Sequence, residues 1–447
     1  MNSHLRRLSL TTATTVALLA LAACGGTDDS PTGSVDLSTP TKKEGTLTMV
    51  TKFADPKYAP YFESVVEAYE DENPDVDIKL EQVGDQPYKD KIRVLSAAQD
   101  LPDIYFSWAG DFANKFIRAG LAADLTSVVG PGSALGDTLA PAATKAFEYD
   151  GKVYGLPIDL DGKYLAYSGK AFKAAGITAP PATLEELLQD CDSLRAAGYT
   201  PIAFGNQFGW PAIHYITQLN AYNVAPETLA KDYDPATGEF TDPGYVQALE
   251  QFQSIVDTCA NPGSNGLAHE AAQANLLSGK AAMQYIESLE FQVLTEEGGA
   301  PADIAADWGF FRLPPASDAA GDTKALTGAP DGFLVNAKSE HAALAADFLT
   351  FFASQQNATK MVEDLGWLSP VAGSADAASN SYPQLNETLQ DMGEASQFAI
   401  WLDTVTNADV AGAYLSGVEG MLGGTNSPED VMDGVREAAE KAQKQSS

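Results

Sequence analysis

The chain has 447 residues, of which 45% are hydrophobic and 20% are charged, which is ordinary for a soluble globular protein. This length exceeds what one hydrophobic core usually supports, so two lobes are expected. With 61 acidic and 27 basic side chains the net charge is -34, which would repel the phosphates of nucleic acids and of anionic lipids. We therefore exclude nucleic acid as a partner.

The N-terminal residues have the layout of a secretory signal. Arg6 and Arg7 precede an uncharged stretch, 8–23, which ends in small residues just before Cys24. The stretch is too short and too weakly apolar for a transmembrane span of about 20 residues. Leu21–Gly25 resembles the bacterial lipoprotein signal, which implies cleavage after residue 23 and lipidation of Cys24. The alternative is an ordinary secretory signal with an incidental cysteine.

A polar segment separates this signal from the folded part. Residues 24–44 are rich in Gly, Ser, Thr, Pro and Asp, and such a segment cannot bury enough apolar surface to fold. We predict a signal peptide at 1–23, a flexible tether at 24–44, and a soluble remainder outside the cytoplasm, since no later stretch approaches a membrane span.

The other cysteines and the histidines bear on covalent links and metals. An exported compartment permits a disulfide between Cys191 and Cys259, although two buried free thiols would fit equally well. Neither cysteine has metal-ligand spacing. The histidines are scattered along the chain: His4, His214, His269 and His341. We expect no metal site and no cofactor.

Strands and helices alternate at the start of the folded part. Strand patterns cover 46–50, 76–80 and 103–106, and helical patterns cover 58–69, 88–98 and about 111–119. In the first helix, the apolar stripe consists of Tyr61, Phe62, Val65, Val66 and Tyr69. This order predicts an α/β architecture with a mainly parallel sheet, and such sheets bind ligands past the carboxyl ends of their strands.

The remainder continues this mixture and ends in helices. Further strands are predicted at 153–157, 164–167, 201–204, 281–286, 308–311 and 332–335. Further helices are predicted at 183–197, 245–257, 269–277, 342–354, 357–364, 383–391 and 428–443. Thr183 and Glu186 form a capping box at the start of the first of these helices.

Short motifs in a fixed order carry a family resemblance. They are Leu101–Phe106, Gly120–Leu125, Gly155–Ile158, Tyr164–Tyr167, Ala175–Ile177, Pro180–Leu187, Leu277–Met283, Val335–Lys338 and Ala345–Phe352. None is specific alone, but their order and spacing over nearly all of 45–442, with the lipoprotein-like start, are informative. The chain resembles the extracellular solute-binding proteins of carbohydrate-uptake ABC transporters, the maltose-binding-like group.

This resemblance implies a two-lobed fold of the periplasmic-binding-protein type II class, with a ligand cleft between the lobes and a helical C-terminal segment. The first lobe would take 45–157 and return at 307–354, and the second lobe would take 158–306 and the helical segment 355–447. Such proteins close by hinge motion, because a ligand that touches both lobes favours the closed state.

Three residues match the family's sugar contacts most directly. Sugars stack their C–H faces on aromatic rings and bind carboxylates or amides through their hydroxyls. Trp108 and Asp111 reproduce the family's Trp-x-x-Asp motif after a strand. Asp161 lies where the family has a ligand-binding carboxylate, just after Gly155–Ile158. The competing interpretations are core packing for Trp108 and a helix N-cap for Asp111.

Further predicted contacts follow other strands or lie in the C-terminal segment. They are Phe53, Asp55, Asn206, Trp210, Glu287, Glu290, Asp331, Trp367 and Trp401. Glu287 and Glu290 stand where the family often has a Gly-x-Trp sequence, so the stacking platform is absent there and a long malto-oligosaccharide is disfavoured. For Trp210, Trp367 and Trp401, core packing is the alternative.

The predicted function is capture of a sugar or short oligosaccharide and its delivery to the permease subunits of an ABC importer. We expect a monomer without enzymatic activity, anchored by lipid to the outer face of the bacterial cell membrane. One alternative keeps the transport role with a polyamine, peptide or glycerophosphodiester as ligand. Others are a passive adhesin and a secreted glycoside hydrolase using paired carboxylates such as Asp159 with Asp161. The sequence contains no Gly-x-Ser-x-Gly nucleophile motif and no Gly-rich phosphate loop.

Overall fold

Strands and helices alternate along the computed structural model, which describes residues 37, 39–40, 42–296, 298–375 and 383–446. The predicted signal peptide, Cys24 and most of the predicted tether lie outside the described residues. The strands are β1 (Gly45–Thr51), β2 (Val76–Gln82), β3 (Ile104–Trp108), β4 (Glu148–Tyr149), β5 (Lys152–Val153), β6 (Gly155–Pro157), β7 (Lys163–Ser168), β8 (Thr200–Ile202), β9 (Ala281–Glu287), β10 (Trp308–Phe311), β11 (Leu326–Thr327), β12 (Asp331–Val335) and β13 (Phe398–Ala399).

The α-helices are α1 (Ala59–Glu72), α2 (Asp85–Ala98), α3 (Asp111–Arg118), α4 (Thr126–Val129), α5 (Pro141–Lys145), α6 (Gly169–Ala175), α7 (Leu184–Ala196), α8 (Trp210–Asn223), α9 (Pro226–Tyr233), α10 (Gly244–Cys259), α11 (His269–Leu277), α12 (Ala302–Ala305), α13 (Ala342–Phe352), α14 (Gln355–Leu365), α15 (Pro383–Glu394), α16 (Leu402–Val405), α17 (Ala408–Leu422) and α18 (Pro428–Ser446). Three short 3-10 helices cover Gly136–Thr138, Ser264–Gly266 and Ser288–Leu294. None of the described helices is long and apolar enough to span a membrane.

The first sheet has the strand order β2-β1-β3-β12-β6. Strand β1 runs parallel to β2 and β3, whereas β12 runs antiparallel to β3 and β6. Helix α1 packs on this sheet, and its buried residues are Tyr61, Phe62, Val65, Val66 and Tyr69. These are the predicted stripe residues, so the stripe prediction is confirmed. The core here is formed by an amphipathic helix laid against an apolar sheet face.

The second sheet has the order β10-β7-β9-β8 and is mainly antiparallel. Strand β7 runs antiparallel to both β9 and β10, and only the β8–β9 pair within this sheet is parallel. The parallel pairing predicted from the first three strands is found between β1 and its neighbours β2 and β3, and it does not extend to this second sheet. Alternation of strands and helices along the sequence does not encode strand direction, because long helical connections can return the chain to either end of a sheet.

Two short crossing segments connect the lobes. The first, 158–162, joins β6 to β7, and the second, 328–330, joins β11, which pairs with β13, to β12. The chain crosses a third time between α14 and α17. The return to the first lobe is predicted to begin at 307, just before β10. Instead, β10 pairs with β7, so the chain rejoins the first sheet only at β12. Helix α14, predicted in the second lobe, contributes Met361 and Leu365 to the same core as α1. Helices α17 and α18 contribute to the core of the second sheet.

The two crossing segments lie side by side. The Ile158 amide donates a hydrogen bond to the Asp331 carbonyl at 2.9 Å, and the Asp331 amide donates to Asp159 Oδ1 at 2.8 Å. A Cβ atom at Gly328 would lie 2.2 Å from the Asp161 carbonyl oxygen. Only glycine permits this close approach of the two backbones.

Helix α8 is the centre of the second lobe. Every residue from Pro211 to Asn223 is buried. No helix is predicted there, because a helix buried on all sides has no polar face and therefore no amphipathic period. Nearby, the structure joins Cys191 of α7 to Cys259 of α10 by a disulfide, with Cα atoms 5.3 Å apart. Both cysteines are fully buried.

Candidate functional site

A cavity of about 760 Å³ lies between the two sheets. This volume is within the range of small-molecule sites, roughly 300–1,000 Å³. The first lobe contributes the residues after β1, the start of α2, the end of β3 and the start of β12. The second lobe contributes the starts of α8 and α11 and the 3-10 helix after β9. The first crossing segment reaches the cavity wall through Asp161, and Asp331, which follows the second crossing segment, lies in the wall as well.

Tryptophan rings form a large part of the wall. Four of the five tryptophans in the chain line the cavity: Trp108, Trp210, Trp367 and Trp401. Trp367 is 1% exposed and donates from Nε1 to the Leu289 carbonyl at 3.1 Å, so it combines core packing with a place in the wall. The Trp401 ring stacks on the His214 ring with centroids 4.2 Å apart. Aromatic faces are thus presented by both lobes.

The first-lobe wall is built around Lys52. Its Nζ lies 3.0 Å from Asp331 Oδ2 and 4.8 Å from the centre of the Trp108 ring. Burial alone would lower the pKa of Lys52, but attraction to Asp331 and then Asp85 outweighs burial and raises it. Burial raises the pKa of Asp331 to about 6, although Lys52 opposes this shift. Lys89 Nζ lies 3.3 Å from Asp85 Oδ2.

The second-lobe wall contains a row of polar groups around His214. Lys163, which is 1% exposed, donates from Nζ to Glu287 Oε1 at 3.1 Å. His214 Nδ1 lies 3.5 Å from the same oxygen, and His214 Nε2 lies 4.0 Å from Asp403 Oδ1. Burial, followed by repulsion from Lys163, holds the pKa of His214 well below its usual value, so the imidazole is neutral. Burial also raises the pKa of Asp403.

Asp161 enters the cavity from the first crossing segment. Its Oδ1 accepts hydrogen bonds from Ser288 Oγ at 2.7 Å and from the Leu289 amide at 3.3 Å. Burial and the nearby Glu287 charge nevertheless raise its pKa well above the usual value. Asp159, two residues earlier, is fully buried, and burial together with the Asp331 charge raises its pKa as well.

Glu290 has the opposite electrostatic setting. His269 Nε2 lies 2.8 Å from its Oε1, Gln273 Nε2 donates to the same oxygen at 3.0 Å, and the Glu287 amide donates to Oε2 at 2.9 Å. Burial would raise its pKa, but the His269 charge and these hydrogen bonds outweigh burial and lower the pKa to about 2. Glu290 therefore carries a fixed negative charge.

The structure brings most of the predicted contact residues to this cavity. The lining includes Phe53, Asp55, Trp108, Asp161, Trp210, Glu287, Glu290, Asp331, Trp367 and Trp401. Two predicted contacts, Asp111 and Asn206, lie outside the lining. The Asp111 carboxylate pairs with Arg118 Nη1 at 2.6 Å on its own helix. Asn206 Oδ1 accepts from the Ala212 amide at 3.0 Å, where it fixes the start of α8.

Several lining residues are absent from the prediction: Lys52, Asp85, Lys89, Phe208, His214, His269 and Asp403. For some of these residues, the sequence contains a signal that would have predicted them. Asp85 and Lys89 follow the second strand, just as Phe53 and Asp55 follow the first. His214 lies one helical turn beyond Trp210 once α8 is recognised as a helix. For Asp403 we find no sequence signal beyond its closeness to Trp401.

Comparison with known sequences gives a family match. The model of the bacterial extracellular solute-binding protein family matches residues 55–359. A Brucella abortus protein named as a binding protein is 30% identical over 234 residues, which cover 51% of this chain and 54% of that protein. The chain thus spans about half the length of the curated relatives it matches first. The Multiple sugar-binding protein of Streptococcus mutans is 27% identical over 162 residues, 36% of each chain.

Solved structures share the fold at low sequence identity. A chitin oligosaccharide binding protein has a TM-score of 0.82 and 22% identity, covering 90% of this chain and 100% of that chain. The GacH receptor of Streptomyces glaucescens has a TM-score of 0.74 and 19% identity, covering 90% and 99%. The predicted two-lobed α/β fold class is confirmed by these likenesses.

Proposed function

The chain belongs to the bacterial extracellular solute-binding protein family, and from that premise we propose that it captures a sugar or short oligosaccharide for an ABC importer. The observation that carries the proposal is the combination of four tryptophans with several carboxylates around one cavity. Rings stack on the C–H faces of a sugar, and carboxylates accept hydrogen bonds from its hydroxyls. The names of similar proteins, including a chitin oligosaccharide binding protein and a Multiple sugar-binding protein, support the same ligand class.

Binding is expected to be coupled to closure of the two lobes. Trp108 and Lys52 belong to one wall, whereas Trp210 and Glu287 belong to the other, so a ligand that fills the cavity touches both. A ligand that contacts both lobes favours the closed state by the free energy of the contacts that exist only there. The crossing segments 158–162 and 328–330 are two of the connections between the lobes, and we expect the hinge motion to take place there.

The test is a thermal-shift screen of the protein against mono- and oligosaccharides, polyamines and short peptides. At about 100 times its dissociation constant, a ligand stabilises its site by roughly 2.7 kcal/mol. We expect a shift with one sugar class, and an affinity about tenfold weaker in Trp210→Ala, measured by isothermal titration calorimetry.

Trp308 provides a matched control. It is the one tryptophan outside the cavity lining, and it packs on Phe291 with ring centroids 5.3 Å apart. Trp308→Ala is expected to lower the melting temperature while leaving the sugar affinity unchanged. A shift with a polyamine or peptide and none with any sugar would replace the ligand class while keeping the transport role. Cleavage of the bound oligosaccharide would replace the binding role with a hydrolytic one.

We also propose the cellular setting of the protein. Lipidation of Cys24 would hold the protein on the outer face of the cell membrane, where it would deliver its ligand to permease subunits as a monomer. Globomycin treatment of producing cells, which blocks lipoprotein signal cleavage, would leave a larger precursor if Cys24 is lipidated. A stable dimer in light scattering would contradict the monomer proposal.

A further inference from the structure

Carboxylates outnumber cationic side chains around the cavity. Eight carboxylates line it, namely Asp55, Asp85, Asp161, Glu270, Glu287, Glu290, Asp331 and Asp403, against the three lysines Lys52, Lys57 and Lys89. A neutral sugar needs only a few hydrogen-bond acceptors. An excess of negative charge in a closed space costs free energy, which is relieved when carboxyls take up protons or when a positive charge enters with the ligand.

The lysines near the cavity are largely occupied by partners. Lys52 lies 3.0 Å from Asp331, Lys89 lies 3.3 Å from Asp85, and Lys163 behind the wall lies 3.1 Å from Glu287. These three pairs leave Asp55, Asp161, Glu270, Glu290 and Asp403 without a lysine within ion-pair distance in the described part of the chain. Glu290 is compensated by His269, and Lys57 is an exposed side chain at the rim.

The carboxyls that lack a lysine partner lie mainly on the second-lobe wall. Asp403 Oδ1 is buried and has no hydrogen-bond partner among the described residues. His214, which is 6% exposed and lines the cavity, likewise has a buried Nδ1 that receives no hydrogen bond within the described ranges. Burial also raises the pKa of Asp161 and of Asp403, as it does that of Asp331. Groups of this kind regain their usual ionisation when a cation binds beside them.

Aromatic rings lie beside His214 in this part of the wall. The centroids of the Trp210 and Trp401 rings lie 5.0 Å and 4.2 Å from that of His214. An ammonium group is attracted to both carboxylates and tryptophan faces. A linear polyamine would satisfy the carboxylates but has no ring face to cover four tryptophans, whereas a charged sugar satisfies both kinds of wall.

We propose that the ligand is an amino sugar, that is, a sugar or short oligosaccharide with a protonated amine directed at Asp161 and Asp403, which we call the acceptor row. This inference rests on the proposed function and narrows its ligand class. The amine would donate charge-assisted hydrogen bonds to the acceptor row while the sugar rings stack on the tryptophans.

The experiment compares matched sugar pairs by isothermal titration calorimetry on the full chain. The pairs are glucosamine with glucose, galactosamine with galactose, and the β-1,4 trimer of glucosamine with the trimer of N-acetylglucosamine. We expect one amine-bearing member to bind at least about tenfold more tightly than its uncharged counterpart. This advantage should shrink when sodium chloride rises from about 0.05 M to about 0.5 M, because salt screens the charge.

Variants assign the effect to the acceptor row. Asp403→Asn is expected to weaken binding of the amine-bearing member about tenfold and to change binding of the uncharged member less than about twofold. Asp161→Asn serves as the second variant if Asp403→Asn folds poorly. Glu227→Gln removes an exposed carboxylate from α9, outside the cavity, and should change neither affinity.

The outcomes separate this inference from the function on which it rests. Equal or tighter binding of the uncharged members overturns the amino-sugar inference and leaves sugar capture standing. Binding of spermidine without binding of any sugar overturns both. An amine preference that is unchanged in both Asp403→Asn and Asp161→Asn also overturns the inference, because the charge would then be recognised elsewhere.

Discussion

Glu290 and Asp161 are two carboxylates in one cavity whose surroundings act on them in opposite directions. Glu290 receives hydrogen bonds from Gln273 and from the Glu287 amide and lies beside His269, so its charged form is stabilised. Asp161 receives two hydrogen bonds but faces the Glu287 charge in a buried position, so its charged form is disfavoured. Chemical type alone therefore does not give the charge of a site residue.

For Glu290 this setting predicts a pH-dependent contribution to stability. Its pKa falls from 4.5 to about 2 on folding, so its stabilising effect is complete above pH 4.5 and is lost as the pH falls toward 2. We expect Glu290→Gln to lower the free energy of unfolding by on the order of 2 kcal/mol at pH 7. Urea denaturation at pH 7, 4.5 and 3 should show the difference between variant and wild type narrowing as the pH falls.

Glu437→Gln is the control for this measurement, because Glu437 is an exposed carboxylate on α18. Its effect on the free energy of unfolding should be near zero at every pH. A Glu290→Gln difference that stays constant from pH 7 to pH 3 would contradict the assigned charge.

Among the helices, α7 and α10 are fastened to each other in two ways. Their buried faces share the core of the second lobe, and the Cys191–Cys259 disulfide joins the two helices covalently across a sequence separation of 68. At the start of α7, Thr183 Oγ1 accepts from the Glu186 amide at 3.2 Å, as the capping-box pattern predicts. The Glu186 carboxylate accepts from the Ala182 amide at 2.7 Å, one residue before the Thr183 amide that a complete capping box would use. Helix α7 is therefore stabilised both by a local N-cap hydrogen bond and by a disulfide to a residue distant in the sequence.

Removal of the disulfide is expected to destabilise the second lobe. A covalent link over a loop of this length restricts the unfolded chain, and the double variant Cys191→Ala with Cys259→Ala should lose about 2–4 kcal/mol of unfolding free energy. Guanidinium denaturation measures this loss. Dithiothreitol should reproduce it in the wild type and have no effect on the double variant, and equal stability of all three samples would contradict the prediction.

Sequence and structure agree best for elements with one polar face. The helix over 58–69 and the strand over 76–80 were predictable because buried and exposed residues alternate with the helical or strand period. Helix α8 was not, because it is buried on all sides. Because α8 is not predicted as a helix, the position of His214 one turn beyond Trp210 is not predicted either.

In the molecule as a whole, the two lobes depend on crossing segments that touch through backbone atoms. Gly328 meets the Asp161 carbonyl so closely that a Cβ atom would lie 2.2 Å from that oxygen. Since Asp161 also lines the cavity, displacement of this contact changes both the connection and the site. Stability and ligand affinity are therefore expected to be coupled at this point.

Gly328→Ala tests that coupling. We expect a fall in the free energy of unfolding of about 1–3 kcal/mol, the usual cost of overpacking, together with weaker ligand binding. Differential scanning calorimetry with and without ligand measures both effects. Gly412→Ala, at a helical position of α17 with no atom near the added methyl group, should be neutral or slightly stabilising. Equal behaviour of the two variants would contradict the close-contact argument.

The sequence alone determined the fold class, most strands, the amphipathic helices and ten of the residues that line the cavity. It did so because burial periods are local and because ligand contacts follow strand ends, as Trp108 follows β3. Only the tertiary structure decided the antiparallel pairing of β7 and the burial of α8. It also decided that Asp403, and not Asp111, lies in the cavity lining. These features depend on which distant segments meet, as Lys163 meets Glu287, and no local pattern records such partners.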